Sequence, residues 1–560
     1  MTKVSVLTKK YLVPVAVDEP ISMLERIVWT MAWFTLLFAS IDSEISATHS
    51  IFLYYWVPIY VATSLVGMAL AWRTPDDLYR YYTRFSMGCT LFFTFIYGQL
   101  AITTLGKYAS DEGAFNQYAA RLLLHGHNPY LASMSGAQSL FTTGFTDNMN
   151  FTEVFKYSYP AGSLWPQALI QALGFRHLAT CELVLFAWVA LGTVLFATLP
   201  RQARPIVPIL LFTAACLSNN SYGLTDPLAM PFLTLAVWQW DRFSDSDRAR
   251  WLRWLGPVSL GLACSIKQGP WFCVPFLFVG IALEAKHAGV DWRRELLMYA
   301  SAVGGVFVAV NLPFMLASPA AWLRGVLLPL TSQLLPNGRG IVFYVIRGVI
   351  PSAHFTTLGY AGMAFYLICL LAFLFYPDQF KRVWVLFIPM YFFFPDRSYD
   401  NYFYDFIPIA LVAASSVRGT TLTSFRAAFR WHRQVLTVAT LLFASLFVTS
   451  FTNPTFTVHI INAVARLNNT DVTNINLEIT NNTGDLQKVY TIMQAHGGMH
   501  NLLIAPSGNH YFFLTPHQTR IIELTVGGTG TYVDSNTRWL ITAISPQDNS
   551  FSDSSVIVLK

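Results

Sequence analysis

Leu178-Ala-Thr-Cys-Glu-Leu-Val-Leu-Phe-Ala-Trp-Val-Ala-Leu-Gly-Thr-Val-Leu-Phe-Ala-Thr-Leu199 contains a single charged residue, Glu182. About 20 mostly apolar residues are what a helix needs to cross a bilayer. Working outward from this run, similar stretches lie at roughly 25–41, 51–72, 86–106, 205–218, 226–240, 254–266, 270–285, 296–316, 356–376, 382–395, 402–416 and 432–452. The sequence therefore predicts an all-α polytopic membrane protein with about 13 transmembrane helices. The shorter stretches fit core or re-entrant helices as well as full spans. The apolar stretch 163–175 is assigned to a helix lying at the surface, because counting it as a span would break the charge pattern described below.

Composition agrees. Of 560 residues, 54% are hydrophobic and only 12% charged; soluble domains carry about 25% charged residues. The 44 Phe, 26 Tyr and 16 Trp suit a chain with many side chains at lipid and headgroup depth. A net charge of +6 is small for this length and does not suggest a nucleic-acid partner. Cys89, Cys181, Cys216, Cys264, Cys273 and Cys369 fall in or beside apolar segments without metal-ligand spacing, and read as small core residues. No cleavable signal peptide is read. The first apolar run begins near Ile27, after Lys3, Lys9 and Lys10, and reads as a retained span.

Cationic loops stay in the cytoplasm. With the N-terminus inside, the inner loops carry Arg73, Arg80 and Arg84; Arg201 and Arg204; Arg242, Arg248, Arg250 and Arg253; Lys286, Arg293 and Arg294; Lys381 and Arg382; and Arg418, Arg426, Arg430 and Arg433. Three parts are then expected outside: a loop at about 107–177, a stretch around 317–355, and everything after about 453. The last changes character. Asn501-Leu-Leu-Ile-Ala, Tyr511-Phe-Phe-Leu and Thr537-Arg-Trp-Leu-Ile-Thr alternate between Gly, Asn and Pro turns. This predicts two domains: a transmembrane domain at 1–452 and a small β-rich extracytoplasmic domain at 453–560. Asn-x-Thr sequons stand at Asn468 and Asn481.

The first outer loop reads Ser110-Asp-Glu-Gly-Ala-Phe-Asn-Gln-Tyr-Ala-Ala-Arg-Leu-Leu-Leu-His-Gly-His-Asn-Pro-Tyr130. Phe115, Ala119, Leu122 and Leu123 share one face of a helix that Gly126 ends. Asp111 and Glu112 precede it. On residues alone they either cap this helix or belong to a site.

The run Asp111–Tyr130 resembles the first external loop of the GT-C superfamily, membrane glycosyltransferases that use polyprenyl-phosphate-linked sugars. Adjacent Asp-Glu, the amphipathic helix and the Gly are similar to protein O-mannosyltransferases and lipid A aminoarabinose transferases. Gly-x-Asn-Pro-Tyr is similar to actinobacterial polyprenyl-phosphate mannosyltransferases. Four further pieces follow in the family's order: Tyr157-Ser-Tyr-Pro-Ala, with Ala161 where the family has a second Pro; Leu224-Thr-Asp-Pro-Leu-Ala; Gly261-Leu-Ala-Cys-Ser-Ile-Lys-Gln-Gly-Pro-Trp; and Arg397-Ser-Tyr-Asp-Asn-Tyr-Phe-Tyr-Asp-Phe-Ile-Pro. The resemblance covers about residues 100–410, and the tail has no counterpart.

The resemblance implies an inverting hexosyl- or pentosyltransferase. Its donor would be a polyprenyl-phosphate sugar and its acceptor a lipid, glycan or protein. Asp111 matches the family's catalytic Asp and takes the role of base, with Glu112 positioning it or the acceptor. Lys267 matches the family Lys and is assigned to donor phosphate, with Arg397 as a second candidate and Arg339 and His354 as weaker ones alongside Arg324 and Arg347. Asp226, Tyr130, Tyr159 and Tyr402 are expected on the acceptor or sugar side. Alternatives stand beside these. Asp226 also fits a cap on the helix that starts with Pro227, and Lys267 a snorkelling interfacial lysine. Arg397 fits an ion pair with Asp396 or Asp400, and Tyr130 and Tyr159 fit loop packing. Ionisable residues near membrane depth are costly and default to functional candidates.

No Walker-type loop, metal-spaced cluster or serine elbow is present, so no cofactor and no metal are assigned; some GT-C enzymes use a divalent metal and others do not. A bacterial plasma membrane is the expected location. The alternative functions are a transporter or flippase of lipid-linked intermediates, which often shows internal repeats and midplane charges, and a glycan polymerase or ligase.

Overall fold

A computed structural model describes residues 21–46, 51–105, 107–141, 143–212, 222–419, 422, 431–465, 472–495, 500–504, 508–526 and 538–558. Residues 178–199 form the helix Ala179–Thr198, with Val184, Leu191 and Leu195 buried. The protein is mostly helical and membrane-embedded. Among the described residues, six helices are long and apolar enough to cross a membrane: Tyr79–Thr103, Ala179–Thr198, Gly269–His287, Trp292–Ala317, Phe355–Phe375 and His432–Thr449. Leu312 and Leu316 on one of them, and Leu441 and Leu442 on another, are exposed, as side chains facing lipid would be.

The other expected spans also hold helices, but their lengths vary. Met23–Ser46 and Ile51–Arg73 are long. Ile206–Leu211, Asp226–Val237, Phe387–Tyr391 and Phe406–Ser416 are short. Among the described residues length and apolarity support six spans, and the expected count of about 13 is not confirmed. Part of the expected 205–218 span, with Cys216, lies outside the described residues. The five described cysteines are free thiols, four of them buried.

Loops expected on one side come together in two groups. Arg26 pairs with Asp76 at 2.7 Å and Arg201 with Glu25 at 3.2 Å. Arg418 reaches Asp241, Asp245 and Glu284, and Arg253 pairs with Glu295 at 2.5 Å. Between residues 107 and 177 the chain forms the helix Asp111–Leu124, capped at its start by Ser110 and followed by Gly126 at φ +78°. The expected surface helix is Leu164–Ala172. It leaves Trp165 and Leu169 exposed and turns Gln167 and Gln171 inward, which suits a helix lying against lipid.

The C-terminal alternation is realised as strands His500–Ile504, Tyr511–Leu514 and Arg538–Ser545. They belong to a nine-stranded antiparallel sheet. Its order is Ala353–His354, Ser550–Val558, Arg538–Ser545, Gln487–Ala495, His500–Ile504, Thr519–Val526, Val472–Asn481, Phe456–Ala465, with Tyr511–Leu514 also paired to Gln487–Ala495. The edge strand Ala353–His354 comes from between membrane helices. Phe355 packs edge-on against Phe551 at 5.1 Å, and Met149, Val342, Leu358, Tyr490 and Ile544 complete a shared core. The β region is therefore continuous with the helical part across the expected 452/453 boundary. Asn481 is buried and its amide donates to Asp485 O and Thr515 O, so this sequon is closed to a glycan in the folded chain. Asn468 lies outside the described residues.

The turn Ala161–Ser163 sits on the end of the Arg250–Ile266 helix, beside Lys267. A Cβ on Gly162 would meet the Ser265 carbonyl oxygen at 2.5 Å. Overpacking of this kind costs about 1–3 kcal/mol. Gly162→Ala is expected to lower the thermal unfolding midpoint in detergent. Gly304→Ala, mid-helix and with nothing within 4 Å of the new Cβ, does not lower it, since alanine is the better helix former.

Candidate functional site

The helix that Ser110 caps delivers two carboxylates to different surroundings. The Ser110 hydroxyl accepts from Glu112 N at 3.2 Å, so neither acid caps the helix. Glu112 points inward and is 8% exposed, while Asp111 is half-buried.

Glu112 meets Lys267, whose ammonium lies 2.5 Å from Glu112 Oε1 and 3.1 Å from Asp226 Oδ2. The Arg250–Ile266 helix stops at Lys267, which takes extended backbone and turns its side chain into the protein. Thr225 donates both its N–H and its hydroxyl to Glu112 Oε1, each at 2.5 Å. Asn401 Nδ2 donates to Asp226 Oδ2 at 2.9 Å. The Tyr159 ring lies against the Lys267 ammonium, 4.5 Å from centroid to Nζ. Lys267 is thus neither snorkelling nor free: its single charge is shared by two buried carboxylates. Asp226 begins the helix at Pro227, but its carboxylate is engaged by Lys267 and Asn401.

Asp111 faces a second group of residues. Its Oδ2 accepts from Thr146 N at 2.8 Å. Arg397 donates to the Thr146 hydroxyl at 3.4 Å and to the Tyr399 hydroxyl, with its guanidinium 5.3 Å from the Tyr399 ring centre. Among the described residues Arg397 makes no ion pair; Asp400 pairs with Arg339 instead, at 3.0 Å. Arg397 is held by a two-residue parallel ladder, Asn337 beside Arg397 and Gly338 beside Ser398. Gly338 has φ +132°, and a Cβ there would overlap the Ser398 carbonyl, so only glycine fits. Asp396 precedes Arg397. Burial pushes its carboxyl up to about 6, against the pull of the Arg397 charge. Burial also raises Asp147, as does Glu153, while Arg397 lowers it.

The remaining candidates divide. Tyr402 lies beside the Asp226, Lys267 and Glu112 charges. Tyr130 donates to Tyr159 O at 2.7 Å and packs edge-on against Tyr157 and Phe314, a loop-packing position. Arg339 is exposed in its pair with Asp400. His354 lies in the edge strand that joins the sheet to the membrane helices, its Nε2 2.9 Å from Asn453 O. Arg347 stacks on Phe343, and Arg324 bonds Ala320 O on its own helix. Thr146, Thr225 and Asn401 were not singled out from sequence. Thr225 and Asn401 lie inside quoted motifs, but nothing in the sequence marks Thr146. Among the described residues the buried Asn401 Oδ1 has no hydrogen-bond partner. Among the described residues no three His, Cys, Asp or Glu gather as a metal-ligand set.

No known protein-family model matches this sequence, and no curated protein matches it either.

Removing one partner of a buried ion pair costs about 3–5 kcal/mol, because the other charge is left uncompensated. Lys267→Met is expected to destabilise the protein by that order, read as a loss of thermal stability in detergent. Adding Glu112→Gln and Asp226→Asn to it restores at least half of the loss. A triple variant no more stable than Lys267→Met would show that the charges are not what holds this region.

Proposed function

We propose that the chain is a GT-C-type glycosyltransferase that moves a hexosyl or pentosyl group from a polyprenyl-phosphate donor to a lipid, glycan or protein hydroxyl. Under this reading the N-terminus is cytoplasmic and the site faces the extracytoplasmic side, in a bacterial plasma membrane. The observation that carries it is the pairing, across Thr146, of a half-buried carboxylate, Asp111, with Arg397, a cation that makes no ion pair among the described residues. Sugar transfer from a lipid phosphate needs those two groups close together.

The acceptor oxygen attacks the anomeric carbon from the face opposite the phosphate, so configuration inverts. The new C–O bond forms as the bond to the phosphate oxygen breaks, and that electron pair leaves on the polyprenyl phosphate. Asp111 takes the hydroxyl proton, the role of a general base. Arg397 stabilises the negative charge growing on the phosphate. Glu112, Asp226 and Lys267 position this machinery: their charges are mutually engaged, and Lys267 would have to give up a carboxylate to hold a phosphate. Tyr159 and Tyr402 lie beside this group, where a sugar could be contacted. The resemblance of five sequence pieces in the family's order supports the same reading.

The test is transfer by the purified protein in nanodiscs, from a panel of radiolabelled polyprenyl-phosphate sugars to a membrane-lipid and glycan extract. Asp111→Asn is expected to lower the rate by roughly 10²–10⁴-fold with its thermal midpoint unchanged. Wild-type rates in the variant would overturn the assignment of the base.

A pH dependence follows from Asp396. Below pH 6 its carboxyl is neutral and the full Arg397 charge is available. Above pH 6 it ionises and competes with phosphate. Apparent donor affinity is expected to fall as pH rises through about 6, and Asp396→Asn removes that step.

A further inference from the structure

A cavity of about 230 Å³ lies away from the Asp111 site and is lined by Lys107, Arg121, Arg176 and His177. Leu140, Phe141 and Leu178 form the rest of its wall. Among the described residues no carboxylate lines it; Glu182, which lies within electrostatic reach of His177, is engaged by Gln99 Nε2. Among the described residues Lys107, Arg121 and Arg176 make no ion pair, whereas Arg26, Arg201, Arg253 and Arg418 do. Cations gathered without a counter-charge repel one another, and an anion relieves that cost.

The cavity is rigidly built. Gln117 is fully buried, one turn before Arg121 on the same helix. Its Oε1 accepts from the Tyr108 hydroxyl, next to Lys107, and from Ala179 N at 2.9 Å. Its Nε2 donates to Arg176 O at 2.6 Å. One side chain therefore fixes the three segments that present the cations. Leu178 adopts φ +43°, a left-handed conformation that a leucine rarely takes. It turns the chain sharply between the Arg176–His177 pair and the helix that follows.

The position points to the ligand. Lys107 follows the span Tyr79–Thr103, and Leu178 immediately precedes the span Ala179–Thr198. The mouth therefore lies at the ends of two membrane helices, where lipid headgroups sit. Exposed Phe175 packs on Phe186 at 6.5 Å, and Phe186 on Phe95 at 5.8 Å, a ring track leading from the cavity along the two spans. The volume is below the roughly 300–1,000 Å³ of sites that enclose a whole small molecule, which suits a headgroup whose tail stays outside.

We propose that this cavity binds the phosphate of an anionic membrane phospholipid, with the acyl chains running along Phe175, Phe186 and Phe95. The site is separate from the Asp111–Arg397 pair and does not depend on the chain transferring a sugar.

Native mass spectrometry of the purified full chain, delipidated and titrated with phosphatidylglycerol, phosphatidylcholine or inorganic phosphate, tests it. Wild type is expected to retain phosphatidylglycerol over phosphatidylcholine. Each cation near a membrane surface is worth about fivefold, so Arg121→Gln/Arg176→Gln should bind phosphatidylglycerol roughly 30-fold more weakly, with phosphatidylcholine unchanged. Arg121→Lys/Arg176→Lys should retain most of the binding. The thermal midpoint checks folding, and Lys107→Gln replaces the double variant if that one unfolds. Equal phosphatidylglycerol binding by wild type and the glutamine variants would overturn the site. Displacement by millimolar inorganic phosphate, without preference for phosphatidylglycerol, would overturn the lipid as its ligand.

Discussion

The ammonium of Lys267 lies buried between the carboxylates of Glu112 and Asp226, and four segments of the chain meet at that contact. An isolated ion at this depth would cost several kcal/mol. The group is tolerable only because each member supplies a partner for another and because Thr225 and Asn401 satisfy further oxygens. These residues come from four separate stretches of chain: the helix after Ser110, the start of Asp226–Val237, the break after Ile266, and the segment following Arg397. Their charges cannot be met unless all four arrive together. The loop packs onto the same frame through Gln268, which donates to Ser158 O and Val326 O, and through Asn116, which accepts from Tyr157 and Ser163.

With Glu112 engaged by Lys267, Asp111 is the one of the two adjacent acids left out of that ion pair. Two adjacent residues on one helix thus take different duties, because successive side chains point about 100° apart. The same logic separates the cations. Lys267 is occupied, Arg339 is exposed and paired with Asp400, and Arg397 lies beside Thr146 with no ion pair among the described residues. Its support is a glycine-dependent ladder rather than a long element, which fixes the guanidinium close to the loop that carries Asp111.

Long apolar runs such as 178–199 were legible because hydropathy is a local property, and the strands at 500–504 and 511–514 because alternation is local too. The motif residues Asp111, Asp226, Lys267 and Arg397 were picked out as candidates by resemblance. Their pairing was not: Glu112 and Lys267 are far apart in the chain, and no local pattern says which carboxylate a lysine will meet. His354 illustrates the same limit. Two residues added to a sheet edge leave no compositional trace, so a seam read as a phosphate candidate. The number of spans was unclear for another reason. Short helices inside a bundle and short full spans have the same composition, and only packing separates them.

The most direct test is a cryo-electron microscopy structure in nanodiscs with a non-transferable polyprenyl-phosphate sugar analogue bound. The account predicts phosphate density against Arg397, the sugar's anomeric carbon facing Asp111, and Lys267 still between Glu112 and Asp226. Phosphate density on Lys267 with its carboxylates displaced, or a donor bound away from Arg397 altogether, would contradict it.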